Sequence, residues 1–225
     1  PSGWRWLAWA IPPLLAVFLV LPCLRFTFIW DDFEFLREAL SFHPSQLLPA
    51  AGHDFYRPIS RQAYFGLVAL LGEHKAVLSH LINAGIVVAS ILVFQKLAMG
   101  VAGSRAGIFA GALFASLGQL PVLVAWSSGV QDLLAILFVA TALLLRWKRR
   151  EAPALVVTAC ALLSKETAAA FVPALVLLNW ILGRKPYDLA SALRYGLLLG
   201  SWAAIHPGLR ELMTSGFHRG ATVYI

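Results

Sequence analysis

Long apolar stretches are the feature of this sequence that most limits its fold. One run covers residues 6–28, and others cover 76–97, 106–124 and 130–147. A helix of about 20 apolar residues spans the ~30 Å hydrocarbon core of a bilayer. Only 13% of the 225 residues are charged and 60% are hydrophobic, whereas soluble domains carry roughly a quarter charged residues. The sequence therefore predicts an all-α integral membrane protein.

Two shorter apolar segments, 152–163 and 168–182, flank a polar tip at 164–166. The first rises only ~18 Å as a helix, which leaves two interpretations. Either the whole stretch is one long span with a buried ion pair, or two short helices meet below the membrane surface. Basic residues stand on both sides, at 146–150 and 184–185. The positive-inside rule places both groups in the cytoplasm, so a hairpin is favoured.

A last apolar segment, 189–205, brings the expected total to about seven transmembrane helices, and a polar tail follows at 208–225. With the ends of the hairpin in the cytoplasm, nearly every acidic residue and every histidine falls on the outer face. We therefore expect the functional groups on that face. Residues 1–225 form a single transmembrane module, which we expect to be part of a longer protein.

The first outer loop, 29–75, is expected to contain two amphipathic helices that lie on the membrane surface. In the first, Phe33, Leu36 and Leu40 recur at helical spacing beside charged residues, a pattern typical of interfacial helices. The second covers 58–71 and begins with a proline, a residue that suits the first turn of a helix.

An aspartate pair, Asp31 and Asp32, directly follows the first span. A carboxylate there lies at the membrane boundary, within reach of both a lipid head group and a soluble molecule. Asp32 is also suited to cap the next helix, because aspartate is a preferred N-cap residue. Capping uses one aspartate, so the pair leaves a structural and a functional interpretation open.

Other polar residues of the outer face have two interpretations each. Arg57 and Arg61 are four positions apart, on one face of the second surface helix. They would clamp a phosphate or, as the spacing alone favours, contact lipid head groups. His80 and Asn83 lie one turn apart near the outer end of a span, and Asp132 stands near the start of another. Hydrogen bonds across the helix bundle are the commoner role of such groups.

Lys165 and Glu166 lie at the tip of the predicted hairpin. Ionisable groups within the membrane are costly and mark functional sites by default. A structural interpretation is that the two neutralise each other or nearby charges. In the functional one, Glu166 keeps Lys165 charged and aimed at an anion.

Five motifs in a fixed order carry a resemblance to a known family. They are the aspartate pair at 31–32, Tyr-Arg-Pro-Ile-Ser at 56–60, His-Leu-Ile-Asn at 80–83, the segment 113–135, and Leu-Leu-Ser-Lys-Glu-Thr at 162–167. This order resembles the GT-C superfamily of membrane glycosyltransferases. It is most similar to the transmembrane O-mannosyltransferases with tetratricopeptide repeats and to their bacterial relatives.

The resemblance covers residues 31–180 and has two departures. Relatives usually carry histidine where this chain has Leu120 and arginine where it has Val130. Both positions fall on the outer side near the expected path of the acceptor. The identity of the acceptor is therefore left open.

The resemblance implies an inverting transfer of sugar from a polyprenyl-phosphate donor to an acceptor hydroxyl, on the non-cytoplasmic face. The general base would be one of two carboxylates, Asp31 or Asp32. The cations expected to bind the donor phosphate are Lys165, Arg57, Arg61 and Arg219, with Arg210 as a further helper. The residues expected to support the substrate site are Glu166, His80, Asn83 and Asp132.

A monophosphate leaving group needs only such cations, so we expect no metal. Relatives that use lipid diphosphates bind a divalent cation, and Asp132 and Glu166 leave that option open.

The expected location is a bacterial inner membrane with a periplasmic site, or the endoplasmic reticulum in a eukaryote. The partners are the lipid-linked sugar, membrane lipid and an unknown acceptor, without nucleic acid. The alternative function is a transporter, a flippase or a non-catalytic module that binds lipid-linked sugar.

Overall fold

The computed structural model describes residues 3–49, 54–181 and 188–214. All regular secondary structure within these ranges is helical, so the all-α prediction is confirmed for them. The α-helices are α1 Gly3–Val20, α2 Asp31–Leu40, α3 Tyr64–Ala69, α4 Lys75–Ala102, α5 Ser104–Ala115, α6 Gln119–Ala125, α7 Val130–Trp147, α8 Glu151–Leu162, α9 Val172–Ile181, α10 Leu189–Ile205 and α11 Pro207–Thr214. A π-helical turn, Pro58–Ala63, runs into α3, and a 3₁₀ turn, Glu166–Phe171, runs into α9.

Three helical stretches of the described chain are long and apolar enough to cross a membrane, namely Ala8–Arg25, Gly72–Ala102 and Ser127–Trp147. Helices α5 and α6 meet the same criteria together, but they are bent by 58° at the break between them. By length and composition the described chain thus has three spans, or four if the bent pair is one. The prediction of about seven also counts α8, α9 and α10, which are apolar but shorter, at 10–17 residues each.

The bend between α5 and α6 interrupts the segment 106–124, which the sequence predicts as one straight span. Pro121 has no N–H, so it cannot bond the carbonyl of Leu117 as a continuous helix requires. The N–H of Leu120 bonds that carbonyl instead, at 3.0 Å. The chain therefore turns just before the proline.

Helix α7 packs antiparallel to α8, with an ion pair at each end of the two helices. Asp132 in the first turn of α7 pairs with Lys165, which follows α8. Arg146 in the last turn of α7 pairs with Glu151 at the start of α8. The Nε of Arg146 also donates to the carbonyl of Leu175 in α9, at 3.0 Å. The chain therefore reverses direction between α8 and α9.

The second predicted surface helix, 58–71, is instead the π-helical turn followed by α3. Phe65 and Val68 of α3 are fully buried. They pack in one cluster with Phe28, with apolar residues of α2 and with Val130 of α7. Neighbouring helices cover this side of the segment, whereas Leu67 and Leu70 on its other side are exposed.

The first predicted surface helix exists as α2, but its buried face is not the predicted one. Phe33 and Leu40 are exposed, whereas Phe35 and Leu36 are buried together with Asp32. Positions 32, 35 and 36 share one face, as residues three and four apart do on a helix. Hydrogen bonds that hold the Asp32 carboxylate inside the protein set this rotation.

Candidate functional site

Charged and polar side chains gather where α1, α8 and α10 end and where α4 and α7 begin. We call this part of the molecule the polar end. Its ionisable members are Asp31, Asp32, Glu38, Arg57, Arg61, Asp132, Lys165, Glu166 and His206. The first outer loop is tied to it by the N–H of Ile59 and the hydroxyl of Ser60, which donate to the carbonyls of Leu163 at 3.3 Å and Ser164 at 2.6 Å. These bonds satisfy carbonyls that the end of α8 leaves without helical partners.

Asp32 is completely enclosed, with 0% of its surface exposed. Its Oδ1 accepts hydrogen bonds from the N–H and the hydroxyl of Ser128, at 2.7 and 2.6 Å. Its Oδ2 accepts from the N–H groups of Ile29 and Ser127, at 3.1 and 3.2 Å. A carboxylate has about four acceptor positions, and these bonds use them. Asp32 therefore fastens α2 to the turn after α6 and has no position left for a substrate proton.

The capping interpretation of Asp32 is also wrong in detail, because Trp30 occupies the N-cap position of α2. Three of the four donors to Asp32 come from Ser127 and Ser128, in a turn that approaches the α6 backbone closely. A Cβ on Gly129 of this turn would lie 2.5 Å from the carbonyl oxygen of Leu123. Glycine is therefore the residue that fits there.

Asp31 differs from its neighbour because it is partly exposed. Its Oδ1 accepts a hydrogen bond from the indole Nε1 of Trp126, at 2.7 Å. Its Oδ2 makes no hydrogen bond within the part of the chain that the structure describes. One carboxylate oxygen is thus fixed in place while the other is open to a substrate.

The turn before the aspartates is strained. Trp30 has φ 47° and ψ −119°, values of the first central position of a type II′ turn, which favours glycine. The N–H of Asp32 donates a hydrogen bond to the carbonyl of Ile29 at 3.0 Å, which closes the turn. Such a conformation costs about 1–3 kcal/mol and is concentrated at functional sites. The turn directs Asp32 inward and leaves Asp31 beside Trp126, whose ring lies edge-on to that of Trp30 at 6.3 Å.

His80 and Asn83, predicted to support the site, are fully buried in α4. The Nδ1 of His80 lies 2.8 Å from the carbonyl oxygen of Val124, and its Nε2 lies 3.2 Å from that of Phe26. The Nδ2 of Asn83 lies 3.3–3.4 Å from three carbonyl oxygens of the segment 123–127. Both side chains brace the segment that carries Trp126 and the donors to Asp32. They are positioning residues and do not reach the exposed surface.

Lys165 pairs with Asp132 rather than with Glu166, so of the two structural alternatives the pairing with nearby charges is confirmed and the mutual pairing of the neighbours is wrong. Its Nζ donates to both carboxylate oxygens of Asp132, at 2.6 Å each. The backbone of Lys165 is extended, with φ −160° and ψ 142°, and successive side chains of an extended chain point apart. An ammonium group has three donors, so one remains beyond the two directed at Asp132.

Glu166 pairs with Arg57, whose Nε and Nη2 lie 2.5–2.9 Å from its oxygens. The Nη1 of Arg57 also donates a hydrogen bond to the Oε1 of Gln131. The Nε2 of His206 lies 3.2 Å from the Oε1 of Glu166. Burial raises the pKa of Glu166, but the hydrogen bonds and charge of Arg57 outweigh it, so the pKa lies below its ordinary value. Glu166 is therefore held as an anion.

Arg57 and Arg61 do not share a helical face as predicted, because Arg57 precedes the π-helical turn. Arg61 pairs with Glu38 of α2 at 2.7–3.0 Å, and its guanidinium lies over the ring of Phe35. Both arginines are thus already paired with carboxylates. Of the remaining predicted cations, Arg210 lies in α11 and Arg219 lies outside the described residues.

Several members of the polar end were not found from the sequence. They are Trp126, Ser127, Ser128, Glu38 and His206. Most of them lie in or beside the quoted motifs, yet their partners are up to 96 positions away in the chain. Periodicity does not show such pairings. Chemically, the polar end offers an open carboxylate, an ammonium group with a spare donor and two paired guanidinium groups.

The described residues contain no group of three or more His, Cys, Asp or Glu side chains able to hold a metal ion. Asp132 and Glu166, the two residues considered for a divalent cation, contact Lys165 and Arg57 respectively.

Comparison of the chain with protein-family models, with curated proteins and with solved structures finds no match.

Proposed function

We propose that this chain is an integral membrane glycosyltransferase of the GT-C type, with about seven transmembrane helices in its full arrangement. It transfers a sugar from a polyprenyl-phosphate donor to an acceptor hydroxyl on the non-cytoplasmic face, with inversion at the anomeric carbon. Large apolar side chains on outward faces, such as Phe18, Phe109 and Leu197, support a lipid environment, because exposed apolar surface of this extent is unusual in soluble monomers.

The observation that carries the proposal is the difference between the two aspartates. Asp32 is saturated with hydrogen bonds, whereas Asp31 is fixed by Trp126 through one oxygen and keeps the other free. A general base needs both a fixed position and an open acceptor. The motif resemblance and the cations of the same polar end add the parts that a lipid-phosphate donor requires.

The chemical step is a single displacement. The acceptor hydroxyl gives its proton to Asp31 as its oxygen attacks the anomeric carbon. The new bond joins that oxygen to the anomeric carbon, and the bond from this carbon to the phosphate oxygen breaks. The leaving polyprenyl phosphate takes the electron pair of the broken bond, and attack from the opposite side inverts the configuration.

Lys165 stabilises the charge that develops on the leaving phosphate. Its ammonium group is held in place by Asp132 and keeps one donor for an anion. A cation fixed before the reaction stabilises developing charge without the cost of reorganisation. Arg57, aimed by Glu166 and Gln131, stands on the same side of α7 as a second, weaker contributor.

The test measures release of polyprenyl phosphate from synthetic polyprenyl-phosphate hexoses by the purified chain in lipid nanodiscs. This readout needs no identified acceptor, since transfer to any added hydroxyl or to water releases the same lipid. Asp31→Asn keeps the side-chain shape but removes proton acceptance, and we expect turnover to fall by roughly 10²–10⁴-fold.

The matched control is Asp188→Asn. Asp188 is the N-cap of α10, at the other end of the bundle, where its Oδ1 accepts from the N–H of Ser191. Asparagine caps a helix as well as aspartate does, so the control should turn over at the parent rate. Normal turnover by Asp31→Asn would remove the base assignment. Tight donor binding by the parent without release of lipid would favour the transporter, flippase or lipid-binding alternatives.

A further inference from the structure

A cavity of about 330 Å³ lies in the first outer loop, between the end of α2 and the π-helical turn. Its walls include Phe55, Tyr56 and Gln62, together with the ion pair of Arg61 and Glu38. The volume lies at the lower end of the range of about 300–1,000 Å³ for small-molecule sites. Neither Asp31 nor Lys165 belongs to the wall, but Arg57, Arg61 and Glu38 of the polar end do, so the cavity adjoins the groups of the proposed chemical step without containing them.

The charge of the cavity argues against a phosphate ligand. Its two cations, Arg57 and Arg61, are each held by a carboxylate, Glu166 and Glu38 respectively. Glu34 lies 3.8 Å from Arg61 as a third carboxylate. The cations are therefore at least balanced by anions, and the cavity suits a ligand without net charge.

The remaining wall groups match a sugar. Phe55 is about half exposed, and aromatic faces pack against the C–H faces of pyranose rings. Glu38 and Gln62 are planar polar groups of the kind that bind adjacent hydroxyls. The Oε1 of Gln62 is buried without a hydrogen-bond partner among the described residues, and an unsatisfied acceptor costs about 1–3 kcal/mol. Gln62 also lines the cavity, so a ligand hydroxyl there is a candidate partner for this amide.

The position of the cavity fixes which part of a ligand it holds. Glu38 follows Asp31 by seven positions on α2, which corresponds to roughly 10 Å along the helix axis. A sugar residue in the cavity is therefore too distant to react at Asp31 itself. Binding of a remote part of a substrate is a common way to position its reacting group.

We propose that this cavity binds the acceptor, and that the acceptor is a neutral saccharide of two or more units. One unit occupies the cavity between Phe55 and Gln62, while a hydroxyl of another unit reaches Asp31. This role as an acceptor site rests on the proposed glycosyltransferase function. Binding of a neutral saccharide in the cavity does not depend on it.

The experiment probes an array of neutral and anionic oligosaccharides of one to four units with the labelled, detergent-solubilised chain. The dissociation constant of the best neutral probe is then measured for the parent and for variants. We expect Phe55→Ala and Gln62→Leu each to weaken binding by about five- to tenfold, the loss expected for one good contact. Phe109→Ala, at an exposed position of α5, is the matched control and should bind as the parent does.

Thermal unfolding of each variant, compared with the parent, separates lost contacts from a lost fold. Binding of neutral probes that depends on Phe55 and Gln62 supports the proposal. Preference for anionic probes or for inorganic phosphate, equal binding by the variants and the control, or no binding at all would each overturn it. Neutral saccharide binding without any release of polyprenyl phosphate would keep the cavity as a saccharide site, but it would overturn the glycosyltransferase function and the acceptor role.

Discussion

The two ends of α7 carry ion pairs that look alike in sequence and differ in their surroundings. Arg146 is only 4% exposed, and it also bonds the Leu175 carbonyl and lies 5.4 Å from the centre of the Tyr195 ring. Lys165 is 23% exposed and has Asp132 as its partner. The first charge is almost fully enclosed and contacts a carboxylate, a carbonyl and an aromatic ring of the protein, whereas the second is partly exposed and keeps a donor beyond the two directed at Asp132. The difference supports the proposal that the polar end binds another molecule.

The spacing of the two pairs supports the same conclusion. Asp132 and Arg146 are fourteen positions apart on α7, or roughly 21 Å along the helix. This is less than the ~30 Å hydrocarbon core of a bilayer. In the proposed membrane arrangement one pair therefore lies below the surface, and a Lys165 held there attracts a phosphate more strongly than it would in water.

The largest effect on stability is expected for Arg146→Met. Removing one partner of a buried ion pair costs about 3–5 kcal/mol. We expect about 3 kcal/mol, because Glu151 is 26% exposed and keeps its bond from Ser191. The free energy of unfolding in detergent measures the loss. Arg194→Met, at an exposed position of the same end, is the matched control, and equal loss in both variants would contradict a structural role specific to Arg146.

Asp32→Asn tests whether loss of a buried, hydrogen-bonded charge at the polar end lowers stability, as the loss of Arg146 is expected to do. The NH2 group of an asparagine would face backbone N–H groups that now donate to the Asp32 carboxylate. Two donors would then meet without an acceptor. We expect about 2 kcal/mol of lost stability, within the range for an unsatisfied buried polar group. Asp31→Asn, its partly exposed neighbour, should unfold within about 0.5 kcal/mol of the parent. The reverse order of the two variants would exchange their roles and make Asp32 the base.

Lys165→Met should act on ligand binding more than on stability. Loss of one hydrogen bond to a charged group, at about 1.5 kcal/mol, weakens polyprenyl-phosphate binding by roughly tenfold. Stability should fall by less than about 1 kcal/mol, since both partners are partly exposed. Lys96→Met, at an exposed position of α4, serves as control for binding to nanodiscs that contain the lipid. Unchanged binding by Lys165→Met would reduce Lys165 to a structural partner of Asp132.

The features that could be predicted from the sequence are those that a local pattern of residues determines, such as an apolar run or a short motif. The apolar runs gave the all-α class and the helices α1, α4 and α7, and the motifs placed Asp31, Asp32 and Lys165 among the candidates. The runs did not reveal the bend before Pro121, because hydropathy does not register a missing N–H.

The partners within the site could not be predicted in the same way. Lys165 and Glu166 are neighbours in sequence, but an extended backbone separates their side chains. Asp31 and Asp32 are equally acidic in sequence, and only the donors of a distant turn distinguish them. Periodicity also did not show which apolar residues of α3 would be covered, because α2 and α7 pack on Phe65 and Val68 while Leu67 and Leu70 stay exposed.

The smallest effect is expected for Glu166→Gln, and it appears in the pH dependence of stability. The pKa of Glu166 is lowered from its ordinary value of 4.5 in the folded protein, so this carboxylate stabilises the fold above pH 4.5. That contribution is lost as the pH falls through the lowered pKa, because the unfolded chain takes up the proton first. Glutamine removes the contribution at every pH, so the stability difference between parent and variant should be largest near neutral pH and shrink in acid.

The measurement is the unfolding temperature of parent and variant in detergent, at a series of pH values from 7 to 3. Arg57 and His206 face Glu166, and neither can carry a negative charge, so neither replaces the attraction that is lost when Glu166 is protonated. Glu73→Gln, at an exposed position before α4, is the matched control and should follow the parent throughout. A stability difference for Glu166→Gln that stays constant or grows in acid would show that Glu166 acts through packing alone. Arg57 would then be free to bind a phosphate as directly as Lys165, and the polar end would hold two open cations instead of one.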